Sequence, residues 1–126
     1  MYEYKEFNEK MKENYLDKGT VIDVLNAYAN GNDFLQKLEK IKNKETERSQ
    51  VLGVIYSEDF EEDDNGYFGE NRVEFYAGDD CYDIIDYGEL YLYLYFACEF
   101  YIEKHEEEKD IVEQELALIA EAYGIK

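Results

Sequence analysis

The spacing of apolar residues changes twice along this 126-residue chain, and that change limits the possible folds more than any other feature. Up to Ile41 the spacing is helical. Tyr4, Phe7, Met11 and Tyr15 recur at three and four residues and predict a short amphipathic helix over 3–15, stopped by Gly19. From Thr20, a good N-cap, Val21, Ile22, Val24, Leu25 and Tyr28 predict a second helix that turns at Asn30-Gly31. Phe34, Leu35, Leu38 and Ile41 predict a third from about Asp33, completing an N-terminal helical hairpin. Lys42 to Ser49 is a polar connector, and beyond it the pattern becomes that of strands. Val51, Leu52, Val54, Ile55 and Tyr56 read as a buried strand, because β-branched and aromatic residues dominate. Glu58 to Gly66, with six acids around Phe60, reads as a loop. Tyr67-Phe68 suggests a short strand, and Arg72–Tyr76 with Cys81–Ile85 a hairpin about Ala77-Gly78-Asp79-Asp80. At Asp86 the spacing turns helical again: Asp86 and Glu89 form a capping box for a helix running to about Lys104. A last helix starts near Glu107 and ends with Gly124 at C′. The expected fold is α+β: an N-terminal helical hairpin, a small antiparallel β-sheet and two C-terminal helices, in one domain over 1–126.

Charge narrows the partners. Thirteen Lys and Arg against 32 Asp and Glu leave a formal net charge of −19, and the excess is one-sided. Residues 1–49 carry nine basic and ten acidic residues, whereas 50–126 carry only Arg72, Lys104, Lys109 and Lys126 against twenty-two acids. Such a field repels phosphate backbones and anionic lipid, so neither direct nucleic-acid binding nor membrane binding is expected, and it speeds encounter with a basic partner. Aromatic residues at 17% of the chain argue for a folded core despite the charge. No apolar run approaches the roughly 20 residues needed to span a bilayer. The start Met-Tyr-Glu-Tyr-Lys-Glu-Phe lacks the basic and apolar regions of a signal peptide, so the expected location is cytoplasmic.

Nothing in the sequence asks for a cofactor, a metal or catalysis. His105 stands beside Lys104 and a glutamate run, away from any nucleophile motif around Ser49, Ser57, Cys81 or Cys98, and reads as a solvated helix-end residue. The two cysteines read as buried thiols. An EF-hand loop started at Glu61 places Asp63, Asn65 and Gly66 correctly but has Arg72 where the bidentate glutamate belongs. Tyr91, Tyr95 and Tyr101 read as core residues of the long helix, while the crowding of Tyr82, Tyr87, Tyr91, Tyr93 and Tyr95 requires some to face solvent, where tyrosine commonly anchors interfaces. If the hairpin turn is Ala77–Asp80, Tyr76 pairs with Cys81 and Glu74 with Asp83, and Val73 and Phe75 share the core face with Tyr82 and Ile84. Two opposed carboxylates weaken a sheet on its own and suit a cationic partner that neutralises them.

With these elements placed, Asn65-Gly66-Tyr67-Phe68-Gly69, Val73-Glu74-Phe75-Tyr76, Asp83-Ile84-Ile85-Asp86-Tyr87 and Leu94 through Lys104 resemble the contact-dependent growth inhibition (CDI) immunity proteins. The likeness spans about residues 65–104, with Val21 to Ile41 more loosely similar. It implies a non-enzymatic antitoxin that binds and neutralises a cognate basic ribonuclease toxin domain. Charge and exposure then nominate the toxin-binding residues. Asp59, Glu61, Glu62, Asp63 and Asp64 in the acidic loop, with Glu70, Glu74, Asp79, Asp80 and Asp83, would attract the toxin, and Tyr67, Tyr76 and Tyr82 would supply contact area. A different class, a phage-type inhibitor that mimics nucleic acid on a DNA-processing nuclease complex, fits the same acidity. The oligomeric state is left open.

Overall fold

The computed structural model describes residues 2–49, 51–61, 67–78 and 81–125. Helices α1 (Tyr2–Glu13), α2 (Gly19–Ala29) and α3 (Phe34–Lys42) come first, then strands β1 (Glu47–Arg48), β2 (Leu52–Tyr56), β3 (Arg72–Ala77) and β4 (Cys81–Asp86), then helices α4 (Tyr87–Lys104) and α5 (Lys109–Ala122). The strands form an antiparallel sheet in sequence order, β1-β2-β3-β4, so the fold is α+β as the periodicity predicts.

Helix α2 packs on β3 and β4, and α4 packs on α2 and β3, which covers one face of the sheet. Val54, Tyr56, Val73, Phe75 and Ile85 project from that inner face into a core shared with Val21, Leu25, Leu90 and Leu94. Helix α1 packs on α2 and α4, while α5 packs on α3 and α4. Two hydroxyls tie the end of α5 to α3 and to the sheet: Tyr123 donates to the Ile41 carbonyl and accepts from the Tyr56 hydroxyl, with 2.9 Å between the two Oη atoms.

The helix termini show how local chemistry sets the boundaries. Asp86 caps α4 by accepting from the Glu89 N–H at 2.8 Å, while Glu89 accepts from the Asp86 N–H, which is the predicted capping box. Helix α5 ends as predicted, with Gly124 at φ 71° and Ile125 N–H bonded to Ala120 O at 2.8 Å. The end of α1 differs from expectation. Tyr15, at φ 63° and 94% exposed, takes the left-handed position, and Leu16 N–H closes the motif on Met11 O. Gly19, expected to stop α1, instead opens α2. Nor is Thr20 the N-cap. Lys18 holds that position without a side-chain cap bond, and the Thr20 N–H is taken by Asp83 Oδ2 from β4 at 2.9 Å.

Four further expectations are corrected. The connector after α3 contains β1, a two-residue strand whose Glu47 and Arg48 carry no strand preference and which forms because β2 offers an edge to pair with. Tyr67-Phe68 is not a strand; Phe68 packs edge-on against Phe60 with ring centroids 5.9 Å apart. The hairpin is one residue out of the expected register, because Ala77 continues β3 and pairs with both Leu52 and Cys81. Glu74 therefore lies opposite Ile84 and Tyr76 opposite Tyr82, while Asp83 pairs with Phe75. A slip of one residue exchanges the faces of a strand, so Tyr82 and Ile84 leave the core face and Asp83 and Ile85 join it. Finally, Cys81 is exposed rather than buried, and Tyr95 is 40% exposed while Tyr87 and Tyr93 go inside.

Candidate interaction surfaces

The outer face of the sheet carries Arg48, Gly53, Ile55, Arg72, Glu74, Tyr76, Tyr82, Ile84 and Asp86, as the register requires. Tyr76 is fixed there by its surroundings. Its ring lies against Gly53, where an added Cβ would fall 2.6 Å from Tyr76 Cζ and 2.5 Å from the Glu47 carbonyl oxygen. Its hydroxyl donates to Ser49 O at 2.7 Å and accepts from Ser49 N–H at 3.0 Å. Tyr82, its cross-strand partner, has no such lock and is 62% exposed. Two arginines, Arg48 and Arg72, and two carboxylates, Glu74 and Asp86, balance on this face.

Of the residues nominated for toxin binding, Asp59, Glu61, Glu70 and Tyr82 are exposed, and Tyr67, Glu74 and Tyr76 are half-buried. Asp59 accepts a hydrogen bond from the Thr46 hydroxyl. Asp83 serves the fold: its carboxylate supplies the acceptor that the first turn of α2 lacks. The opposed Glu74–Asp83 pair does not exist. Glu62, Asp63, Asp64, Asp79 and Asp80 lie outside the described residues, as do Asn65 and Gly66 of the EF-hand-like stretch.

A second surface lies on the helical layer. Tyr91, Tyr95 and Ile102 of α4 face Val112, Leu116 and Ala117 of α5 across a groove of about 170 Å³. At the Ile102 end it continues into a depression lined by Lys10, Glu99, Glu103, Lys109 and Glu113, and from there over α1 between Glu6, Glu9 and Glu13. Six glutamates thus meet two lysines along it. Lys10 is already engaged, with Nζ 3.6 Å from Glu99 and 3.1 Å from Glu103, and Lys104 holds Glu6 at 3.2 Å. None of these groove residues was nominated from the sequence, although Glu6, Glu9 and Glu13 at steps of three and four, and Glu99 and Glu103 at four, share helix faces.

The titratable groups near these surfaces are structurally committed. Burial pushes the Cys98 thiol, in the groove wall, up to about 12. Glu99 beside the exposed Tyr95 phenol raises its pKa, as a negative neighbour does. His105 stacks on Tyr101 at 4.1 Å, its Nδ1 3.1 Å from the Tyr101 carbonyl oxygen, at the C-terminal end of α4. Among the described residues, no three His, Cys, Asp or Glu side chains converge as a metal site, and no helix is long and apolar enough to cross a membrane.

Fold and sequence together define an α+β protein of net charge −19 that exposes carboxylates and tyrosines, side chains by which proteins steer and anchor other proteins. The chain belongs to the CDI immunity protein family, whose sequence profile it matches over residues 14–116. It is therefore an immunity protein that neutralises a CDI toxin. No curated protein and no solved structure matches it significantly.

Proposed function

We propose that the toxin is a basic ribonuclease and that this chain, acting as a single domain in the cytoplasm and without chemistry of its own, neutralises it by covering its active site or RNA path. The observation that carries this reading is the one-sided charge, with twenty-two acids against four basic residues over 50–126. A ribonuclease must hold RNA phosphates with cationic and neutral donors, and an acidic surface competes for those same groups. Asp59, Glu61, Glu70 and Glu74 supply steering on the sheet side, with Glu62, Asp63, Asp64, Asp79 and Asp80 in the same stretches of sequence. Tyr82 supplies the anchor and Tyr67 and Tyr76 the flanking area. A standard interface takes about 800 Å² from each partner, roughly a tenth of this molecule's 7687 Å². That area accommodates the outer sheet face and its rim.

The test is a pull-down in physiological salt against the product of the neighbouring upstream reading frame, followed by an RNA cleavage assay of that product with and without the immunity protein. A stoichiometric complex in which cleavage stops is the expected result. A complex that leaves cleavage intact, or no complex, removes the ribonuclease reading and turns attention to nucleic-acid mimicry.

A further inference from the structure

We infer that the groove across α4, α5 and α1 is a second docking surface for the toxin, and that its occupant is a cationic segment bearing one apolar side chain. Its lysines or arginines lie over the glutamates, and its apolar side chain sits between Tyr91, Tyr95 and Leu116. This rests on the reading that the chain binds a basic toxin, and it extends the contact from the sheet to the helical layer.

Size, apolarity and charge agree on that occupant. A groove of about 170 Å³ is comparable to the roughly 150 Å³ cavity that accepts benzene, enough for one ring or branched aliphatic group. Among the described residues, the exposed Tyr95 lines the groove, and Tyr91, Ile102, Val112 and Leu116 supply further apolar lining. The acidic end excludes the other occupants of an apolar groove. A membrane surface is anionic and repelled, and a second copy of a chain with net charge −19 brings the same sign. Among the described residues Glu9, Glu13 and Glu113 make no ion pair, while Lys10 is held by its own neighbours. Cationic side chains entering here meet carboxylates that no internal lysine neutralises.

Two variants separate this surface from the sheet face. Ala117→Trp fills the groove from an exposed position, and the triple change Glu9→Gln, Glu13→Gln, Glu113→Gln removes the unpaired charge while keeping shape and leaving the Lys10 pairs with Glu99 and Glu103 in place. Each is titrated by stopped-flow and calorimetry against the toxin domain from the neighbouring reading frame, with Tyr82→Ala in parallel and circular dichroism to establish folding. The inference expects Ala117→Trp to weaken binding at least tenfold. It expects the glutamine variant to associate several-fold more slowly, with a flatter dependence on salt. If both bind like the wild type while Tyr82→Ala binds weakly, the groove is not a docking surface and the proposed function stands. If the wild type itself fails to bind, the proposed function fails and this inference with it. Should the tryptophan variant misfold, the glutamine variant alone decides.

Discussion

Replacing Asp83 separates folding from recognition, because the carboxylate expected at the interface is spent on a helix terminus. The first N–H groups of α2 have no intrahelical acceptor, and Lys18 provides no side-chain cap. Asp83 Oδ2 reaches the Thr20 N–H across 63 positions of sequence, at 2.9 Å, beside a residue only 9% exposed. Asp83→Ala strands that donor and removes a negative charge from the positive end of the helix. A lost N-cap costs about 0.5–2 kcal/mol and the dipole contribution is about 0.3–1 kcal/mol, giving a destabilisation of roughly 1.5–2 kcal/mol. For a chain of 126 residues unfolding entropy is about 0.26 kcal/mol/K, so Tm falls by roughly 6–8 °C. Asp83→Asn keeps an acceptor and loses only the charge, with a drop of roughly 2 °C. Differential scanning calorimetry on the three proteins measures this, with toxin titration well below the lowered Tm as the companion assay. Affinity is expected to be unchanged. An unaltered Tm in Asp83→Ala together with slower toxin association would refute the capping role and return Asp83 to the interface.

Other perturbations follow from the same geometry. Gly53→Ala drives a methyl group into the Glu47 carbonyl oxygen and the Tyr76 ring; urea denaturation is expected to show a loss of about 2–3 kcal/mol. Hydrogen bonds from Lys37 and then Lys40 hold the Glu47 carboxyl below its ordinary 4.5. A lowered native pKa contributes stability that is complete above the unfolded value and lost as pH falls through the native one. The stability gap between wild type and Glu47→Gln is therefore expected to hold from neutral pH to about 5.5 and to close in more acidic buffer. Ellman's reagent at neutral pH is expected to titrate one thiol of the native protein, the exposed Cys81, and both after unfolding. Cys98 is buried with its pKa at about 12, so it presents essentially no thiolate.

Helices α1 through α5 and strands β2 to β4 were legible because each carries its own periodicity or punctuation; the Asp86–Glu89 box and Gly124 are local chemistry that needs no tertiary information. The errors arise where distant parts of the chain decide. Ala77 joins β3 because Leu52 is there to pair with it, and that one added residue reverses the faces of β4. The chain leaves α1 through Tyr15 in a left-handed conformation that favours glycine, which no reading of a tyrosine suggests. Of the candidate site, Tyr82 was nominated from the crowding of tyrosines although the expected register turned it to the core, and the true register turns it outward. The groove was missed because its glutamates come from three helices whose adjacency is a property of the packed fold.

Strand β4 ends the sheet, and among the described residues no strand pairs with its outer edge, which is six residues long and of the kind along which identical chains tend to polymerise. Antiparallel addition of a second β4 would bring Asp83 and Asp86 of each copy near those of the other, within a complex of two chains each carrying −19. The acidity therefore discriminates between self and non-self. It keeps a concentrated pool of this protein dispersed between encounters, while leaving the same edge and surfaces accessible to a molecule of opposite sign.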